Sequence, residues 1–192
     1  FRSTPTLQAG IDKITFFNDS KTTLGASLTS ARQEISGMAN SGTAGYSSGG
    51  YDGSVLQSID KITFSGDSKS TLAATLTAAL RQTASMANSG TAGYISAGSN
   101  SSSIYVSTID KITFSGDSKS TLSATLSVAM SGPAGMANSG TAGYVGGGVN
   151  TAGTRLSTID KVTFSNDSRS TLSANLSNTI NALGAMANSG TL

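Results

Sequence analysis

The stretch "IDKITFSGDSKSTL" occupies residues 59–72 and occurs again, unchanged, at residues 109–122. Related versions begin at Ile11 and Ile159, so the four starting points are 48, 50 and 50 residues apart. In every copy a methionine follows the first isoleucine by 27 positions, and all insertions fall between the "TAGY" tyrosine and the next "ID". A core of constant length with one variable connection is typical of a stacked or radial repeat protein.

Each copy carries the pattern of four short strands. "SIDKITFS" is rich in β-forming residues and ends at a "GDSK" or "NDSR" turn signal. Leu122, Ala124, Leu126, Val128 and Met130 then alternate with mostly polar residues, which predicts a second strand. A third strand is expected to lead into the tight "NSG" turn of "MANSG", and a fourth to contain "TAGYVGGG" or its relatives.

The fourth copy also permits a helix, because Leu172, Leu176, Ile180 and Leu183 lie at helical spacing. The third copy has Gly132 and Pro133 in the corresponding segment, and these residues would break a helix. Since the copies are expected to share one fold, the strand interpretation is preferred.

The composition bounds the possible functions. The chain of 192 residues has a net charge of +2 and no Cys or His, so disulfides and zinc sites built from these residues are excluded. Acidic and basic residues come in neighbouring pairs such as Asp60 and Lys61, which does not favour nucleic-acid binding. No apolar run is long enough for a membrane-spanning helix. Because the chain begins with Phe1, we expect it to be processed or part of a longer chain.

The order of landmarks resembles that of kelch-type repeats. Gly49-Gly50 and Gly147-Gly148 match the glycine doublet of those repeats, and Ala31-Arg32 and Leu80-Arg81 match their arginine step. The sequence departs from the family where leucines replace the usual tryptophan, where copies three and four lack the arginine, and where Ala97 replaces a doublet glycine. The "GYxxGG … ID … S-D" units also look like the glycine/tyrosine-rich repeats of virion proteins from marine tailed phages, including cyanophages.

The kelch-like resemblance and the period near 50 imply an all-β fold, a β-propeller of four blades within a single repeat domain, residues 1–192. One blade would be split between the two termini. The ring would close if Phe1 to Thr4 lay beside Ser189 to Leu192, which would remove an exposed sheet edge. A longer array, or chains that complete each other's split blade, remain alternatives.

The repeated charged residues are interpreted as scaffold. An enzyme is not expected, because one aspartate environment recurs four times and no His or Cys can act as base or nucleophile. No metal or cofactor is expected either, since one carboxylate in each "GDS" turn is too few for a calcium loop, and a turn in which Asp or Asn caps backbone amides is preferred. Asp60 and Lys61 are instead predicted to meet charges on a neighbouring blade, in exposed pairs that contribute little to stability.

The repeated apolar and aromatic residues are also interpreted as scaffold. Met86 and its equivalents are expected to fill the core. Tyr46, Tyr94 and Tyr144 are expected to pack between blades with their hydroxyls reaching water, in preference to stacking on sugars.

The variable connections hold the residues that the copies do not share, and loops on a rigid scaffold often carry recognition. Unselected surface loops, or contacts with other subunits, are the alternative interpretation. The candidate ligand-binding residues are Tyr51, Asp52, Asn100, Tyr105, Asn150 and Arg155.

The phage resemblance implies a structural or binding protein of a virion, in a tail fibre or a decoration of the particle. Its expected partners are other virion or surface proteins and a host surface glycan, and it is expected to form a homo-oligomer or part of a larger assembly. A secreted bacterial adhesin or filament subunit with the same fold is the alternative, which would place the protein outside the cell or at its surface.

Overall fold

The computed structural model describes residues 6–181 and 184–185. These residues form sixteen β-strands and no helix, so the expected all-β class is confirmed and the helical interpretation of residues 172–181 is wrong. Since no helix occurs in these ranges, none of the described residues forms a helix long and apolar enough to cross a membrane.

The strands form four main antiparallel sheets, named A to D in chain order. Sheet A has two strands, β1 (Gly10–Thr15) and β2 (Ser20–Ser27). Sheet B contains β3 (Ser36–Asn40), β4 (Ala44–Ser48), β5 (Ile59–Thr63) and β6 (Ser68–Thr71). Sheet C contains β7 (Ala84–Asn88), β8 (Ala92–Ser96), β9 (Ile109–Thr113) and β10 (Ser118–Thr121). Sheet D contains β12 (Ala134–Asn138), β13 (Ala142–Gly146), β15 (Ile159–Thr163) and β16 (Ser168–Thr171), while β11 (Met130–Ser131) pairs separately with β14 (Val149–Asn150).

Each four-stranded sheet is an antiparallel meander that combines the end of one sequence copy with the start of the next. In sheet C, Met86 lies opposite Tyr94, which lies opposite Lys111 on the third strand. The "MANSG" hairpin is confirmed: the backbone N–H of Thr91 donates to the carbonyl of Asn88 (3.0 Å), and Gly90 has φ +80°. The glycine supplies the left-handed conformation that this tight turn requires.

The predicted second strand is present in the first copy, where β2 contains Leu24 and Ala26, but in the later copies the prediction is wrong for most of its length. In sheet C it ends at Thr121, and Leu122 to Ala129 form an irregular extended segment. The N–H groups of Leu122 and Leu126 donate to the carbonyls of Ile109 and Ser107, and Ser127 bonds to Asp160 of sheet D, so this segment leads to the next sheet without forming a regular strand. Its alternation has a simpler cause, because Leu126 is buried against the core while Thr125 is exposed.

Packing joins each sheet to the next in chain order. Strand β3 packs on β7, and β7 packs on β12, while β2 contacts β6. Two hydrophobic cores result, one between sheets B and C and one between sheets C and D. Met38 and Met86 are buried in them, as expected, whereas Met136 is only partly buried and Met186 lies outside the described residues.

Equivalent residues of neighbouring repeats contact each other directly. The N–H of Gln82 donates to the carbonyl of Glu34, and the N–H of Gly132 donates to that of Gln82. At the turns, the N–H groups of Ser41 and Ser89 donate to the hydroxyls of Ser89 and Ser139. The described residues therefore form a row of stacked sheets. They show no substantial packing between sheets A and D, and the segments Phe1 to Thr4 and Ser189 to Leu192, which were expected to close a ring, lie outside the described residues.

Candidate functional site: charged ladder, variable loops and loop groove

The charges of the repeat connect neighbouring sheets, as the sequence predicts. Lys13 pairs with Asp67 at 2.8 Å, Lys61 with Asp117 at 2.7 Å, and Lys111 with Asp167 at 2.7 Å. Each pair joins a lysine on one sheet to a turn aspartate on the next sheet. The pKa of Lys61 is raised, chiefly because its ammonium donates a hydrogen bond to Asp117. We name this set of contacts the charged ladder.

The turn aspartates have a different role from the capping that the sequence predicts. Asp67, Asp117 and Asp167 adopt left-handed backbone conformations, and their carboxylates reach the preceding sheet. Where a turn is capped by a side chain, the preceding asparagine does it: the N–H of Ser168 bonds to Asn166, and the N–H of Ser20 bonds to Asn18. The aspartate of the turn therefore links sheets rather than closing its own turn.

A second set of carboxylates is buried, which corrects the expectation of exposed pairs. Asp60, Asp110 and Asp160 are at most 2% exposed. Asp110 accepts hydrogen bonds from the backbone and hydroxyl of Thr77 and from the hydroxyl of Thr121. These bonds replace water and fix the chain crossing from one sheet to the next.

Asp60 alone among these three pairs with a buried arginine, since the Arg169 that lies 3.7 Å from Asp160 is partly exposed. Arg32 is buried and forms an ion pair with Asp60, and it also donates to Ser58 and to the carbonyl of Gly49. Burial opposes ionisation of Asp60, but hydrogen bonds from Thr29 and Thr71 and the charge of Arg32 outweigh it, so its pKa is lowered. The kelch-like resemblance treats Arg32 and Arg81 as the same step of the repeat, but Arg32 occupies the position of Leu80, and Arg81 occupies the next one.

Two of the three repeat tyrosines, Tyr46 and Tyr94, pack between sheets, as predicted, but their hydroxyls bond to aspartates instead of reaching water, whereas Tyr144 is partly exposed. Tyr46 stacks on Phe114 and Tyr94 on Phe164, with ring centroids 5.1 and 5.0 Å apart. The hydroxyl of Tyr94 donates to Asp167 at 2.8 Å, as that of Tyr46 does to Asp117. Burial first, and then the hydrogen bond to Asp167, raise the pKa of Tyr94. Both tyrosines are buried and cannot stack on a sugar.

The variable connections form three short loops at equivalent places. Isolated bridges close each loop: Tyr51 pairs with Val55, Ser99 with Tyr105, and Val149 with Arg155. The doublets before them have positive φ at both residues, including 61° at Ala97, where the other two copies have Gly49 and Gly147. Backbone hydrogen bonds join Glu34, Gln82 and Gly132 of successive repeats beside the bases of these loops, so the three loops lie along one side of the row.

Three of the six predicted site residues organise their own loops. Asn100 accepts hydrogen bonds from the N–H groups of Ser102 and Ile104, both at 3.0 Å. Asn150 does the same for two N–H groups of its loop, and Asp52 accepts one from Ser54. An Asx side chain at this position therefore sets the loop conformation.

The other three predicted residues lie at the loop edges. The guanidinium of Arg81 lies 5.4 Å from the ring centroid of Tyr51. Tyr105 is half-buried, and Arg155 is exposed and donates to Asn181 at 3.1 Å. Within the described ranges, the six predicted side chains share no hydrogen bond or ion pair with one another. A ligand-binding role for them stays a prediction.

A groove of about 260 Å³ with a mixed polar and apolar lining lies beside the base of the third variable loop, and the sequence patterns do not predict it. We call it the loop groove; its lining includes Glu34, Gln82, Thr83, Ser131, Val149 and Asn181. The hydroxyl of Ser131 donates to Gln82, and Arg81 pairs with Glu34 at 3.3 Å. The available signal was disagreement between copies at constant length, since "QEISG", "RQTAS" and "SGPAG" occupy equivalent positions before each methionine.

Two residues of the loop groove have strained backbones. Glu34 has φ +57° and Gln82 has φ +56°, while the equivalent third residue is Gly132 with φ +66°. A left-handed conformation costs a residue with a side chain roughly 1–2 kcal/mol. Such strain is concentrated at functional positions in many proteins. Glu34 and Gln82 therefore place polar side chains at positions whose backbone conformation favours glycine.

In the part of the chain that the structure describes, no group of three or more Asp or Glu side chains is placed to hold a metal ion. A scan against models of known protein families gives no match, and a search of curated proteins gives none either. The function is therefore inferred from the residues of the charged ladder, the variable loops and the loop groove.

Proposed function

We propose that this chain is a non-enzymatic structural and binding protein of a phage particle, in a tail fibre or a virion decoration. It would present its variable loops to a host surface glycan or to a neighbouring virion protein. The observation that carries the proposal is the division between invariant and variable residues. The invariant charged and aromatic residues join sheets, whereas the residues that differ between copies surround the loop groove.

The loop groove suits a polyhydroxylated ligand. Its lining offers a carboxylate, amides and hydroxyls, and Ile35 adds an apolar surface that is 42% exposed. Sugar recognition generally combines polar groups of this kind with apolar contact. The strained backbones at Glu34 and Gln82 support a binding role for their side chains.

A glycan array on the intact chain tests the proposal, with Glu34→Gly and Gln82→Gly as site variants. Both substitutions suit the left-handed backbone that Gly132 adopts, so the fold should persist while the polar groups are lost. Lys13→Ala, which alters a half-exposed residue of the charged ladder away from the loop groove, is the matched control. We expect binding that both site variants weaken and the control does not. Failure to bind any glycan, together with assembly into ordered particles, would eliminate the role in glycan recognition.

A secreted bacterial adhesin or filament subunit is the second candidate. The apolar surface at both ends of the row favours it, since Phe16 is 90% exposed and Ile180 is 38% exposed. Identifying the native particle or cell surface that carries the chain distinguishes the two. The closed four-bladed propeller implied by the kelch-like resemblance also stays a prediction, because ring closure would have to bring sheets A and D together.

A further inference from the structure

The interfaces between sheets B and C and between sheets C and D use one set of contacts. At the interface between sheets C and D, sheet C contributes Tyr94 and Lys111 as the first half, and sheet D contributes Phe164 and Asp167 to the second half. Tyr94 and Lys111 both bond to Asp167, and Tyr94 stacks on Phe164. A hydroxyl residue of the crossing segment, Ser127, donates to the buried Asp160 of the next sheet. The B/C interface repeats these contacts with Tyr46, Lys61, Thr77, Phe114, Asp117 and Asp110.

Sheet D carries the first half of this interface and nothing described covers it. Tyr144 is partly exposed, whereas its counterpart Tyr94 is fully buried. Ile180 is 38% exposed, although the equivalent Leu80 and Met130 are at most 3% exposed. A cleft of about 390 Å³ results on this end face, lined by residues that include Met136, Ile159, Leu176, Ser177 and Ile180.

Sheet A carries the second half, also uncovered. Phe16 is 90% exposed and Ile14 is 49% exposed, while the equivalent Phe164 and Val162 of sheet D are at most 6% exposed. Asp19 has φ +53°, close to the +55° of Asp167, so its turn already has the conformation used inside the row. Within the described residues, Asp19 and Lys161 form no ion pair.

Asp12 on sheet A has fewer hydrogen-bond donors among the described residues than the equivalent Asp110. It accepts from Thr23 and pairs with Lys21 at 3.1 Å, as Asp110 does with the equivalent Thr121 and Lys119. Asp110 has one further donor, Thr77 on the preceding crossing segment. The residue that would take this place at the open end of sheet D is Ser177, which lines the cleft.

From these matching halves we infer that the end face of sheet D docks on sheet A of a second copy of this chain. Tyr144 stacks on Phe16 of that copy, Lys161 and the Tyr144 hydroxyl bind its Asp19, and Ser177 donates to its Asp12. This contact continues the two interfaces already present within the chain. It joins different surfaces head to tail, so it is able to propagate into a filament or to close into a ring of several copies. It does not depend on glycan binding or on a virion location.

Sedimentation of the full chain from about 1 µM to about 1 mM tests the inference, because interfaces of modest size associate in this range. We expect a mass that rises with concentration. Asp19→Lys and Lys161→Asp should each weaken association at least about tenfold, since each places like charges together in the contact. The double variant should regain most of the loss, because it restores an opposite pair.

Neighbouring phenylalanines provide the matched control. Phe16→Ser should abolish association. Phe17→Ser should leave it unchanged, because the residues equivalent to Phe17 are Ser65, Ser115 and Ser165, which stay exposed inside the row. A monomer at all concentrations, equal effects of the two serine variants, or no recovery in the charge-swapped double variant would each overturn the proposal.

Cross-linking separates a second copy from closure within one chain. The sequence has no cysteine, so Asp19→Cys combined with Lys161→Cys gives one reactive pair for a short bis-maleimide. We expect products of two or more chains, which Phe16→Ser should suppress. Cross-links found only at the mass of one chain would overturn docking between copies in favour of a closed single-chain ring.

Discussion

Asp60, Asp110 and Asp160 occupy one position of the repeat, yet only Asp60 meets a buried arginine. Asp110 and Asp160 accept hydrogen bonds from hydroxyl groups instead, and each has a partly exposed cation nearby. Lys119 lies 3.5 Å from Asp110, and Arg169 lies 3.7 Å from Asp160. Asp60 has these hydroxyl bonds as well, and Lys69 lies 3.6 Å away. Arg32 is thus an addition to a carboxylate site that is already complete in the other sheets.

This difference predicts unequal costs for the two partners. Asp60→Ala should lower the free energy of unfolding by about 3–5 kcal/mol, because it leaves Arg32 charged and buried without its carboxylate. Arg32→Leu should cost less than about 1.5 kcal/mol, since it installs the residue found at Leu80 and leaves Asp60 with the environment of Asp110. Urea unfolding at neutral pH measures both.

The double variant is the control for this pair. Adding Arg32→Leu to Asp60→Ala should recover part of the loss, because the unpaired guanidinium disappears with it. A cost for Arg32→Leu as large as that for Asp60→Ala would mean that the ion pair itself, rather than the uncompensated charge, determines stability here.

At the scale of the element, the inner strands of successive sheets approach so closely that glycine is required at some positions. A Cβ added to Gly135 on β12 would lie 2.4 Å from the carbonyl oxygen of Ser85 on β7. Since that oxygen belongs to a strand backbone, the two sheets would have to separate. The equivalent Gly37 on β3 has no such neighbour, and its nearest contact would be the carbonyl of Tyr46 at 3.7 Å.

Gly135→Ala and Gly37→Ala therefore form a matched pair. We expect Gly135→Ala to lower the free energy of unfolding by about 1–3 kcal/mol, as overpacking does in other cores. Gly37→Ala should change it by less than about 0.5 kcal/mol, because an added methyl group at ordinary contact distance strains nothing. Thermal or chemical unfolding of the two variants decides the point, and equal losses would contradict the close approach of β7 and β12.

The strands could be predicted from sequence where a short pattern repeats at constant length. "IDKIT" and "MANSG" form the predicted strand and hairpin, and the lysine–aspartate contacts between sheets are present. The conformation of the segment after Thr121 could not be predicted, because a chain that passes from one sheet to the next alternates buried and exposed residues just as a paired strand does. Burial of Asp110 was also missed, since its hydroxyl partner Thr77 lies 33 residues earlier and is recognised only after folding.

Among the candidate site residues, the positions of the variable loops were predicted correctly, but the contacts of their side chains were not. Asn100 and Asn150 differ from their neighbours in sequence, yet they bond to their own loop backbones. Glu34 and Gln82 lie in segments of constant length, so only their disagreement between copies distinguished them, and their left-handed backbones are visible only in three dimensions. The loop groove arises from three separate repeats, and no single copy contains it.

At the scale of the whole molecule, the ladder and the aromatic stacks follow one direction along the row. Tyr46 and Lys61 of sheet B reach sheet C, and Tyr94 and Lys111 of sheet C reach sheet D. Each sheet thus contributes one half of an interface to each neighbour, and among the described residues nothing covers the remaining half of sheet A or of sheet D. Stability is then expected to be a sum of sheet and neighbour contributions, as in other repeat proteins.

Aromatic NOE contacts in dilute, monomeric protein test the open row of stacked sheets most directly. Selective labelling of tyrosine and phenylalanine rings should give contacts between Tyr46 and Phe114 and between Tyr94 and Phe164, whose ring centroids lie 5.1 and 5.0 Å apart. No contact between Tyr144 and Phe16 should appear, since Phe16 is 90% exposed. Absence of the first two contacts, or a Tyr144–Phe16 contact within the monomer, would contradict the open row.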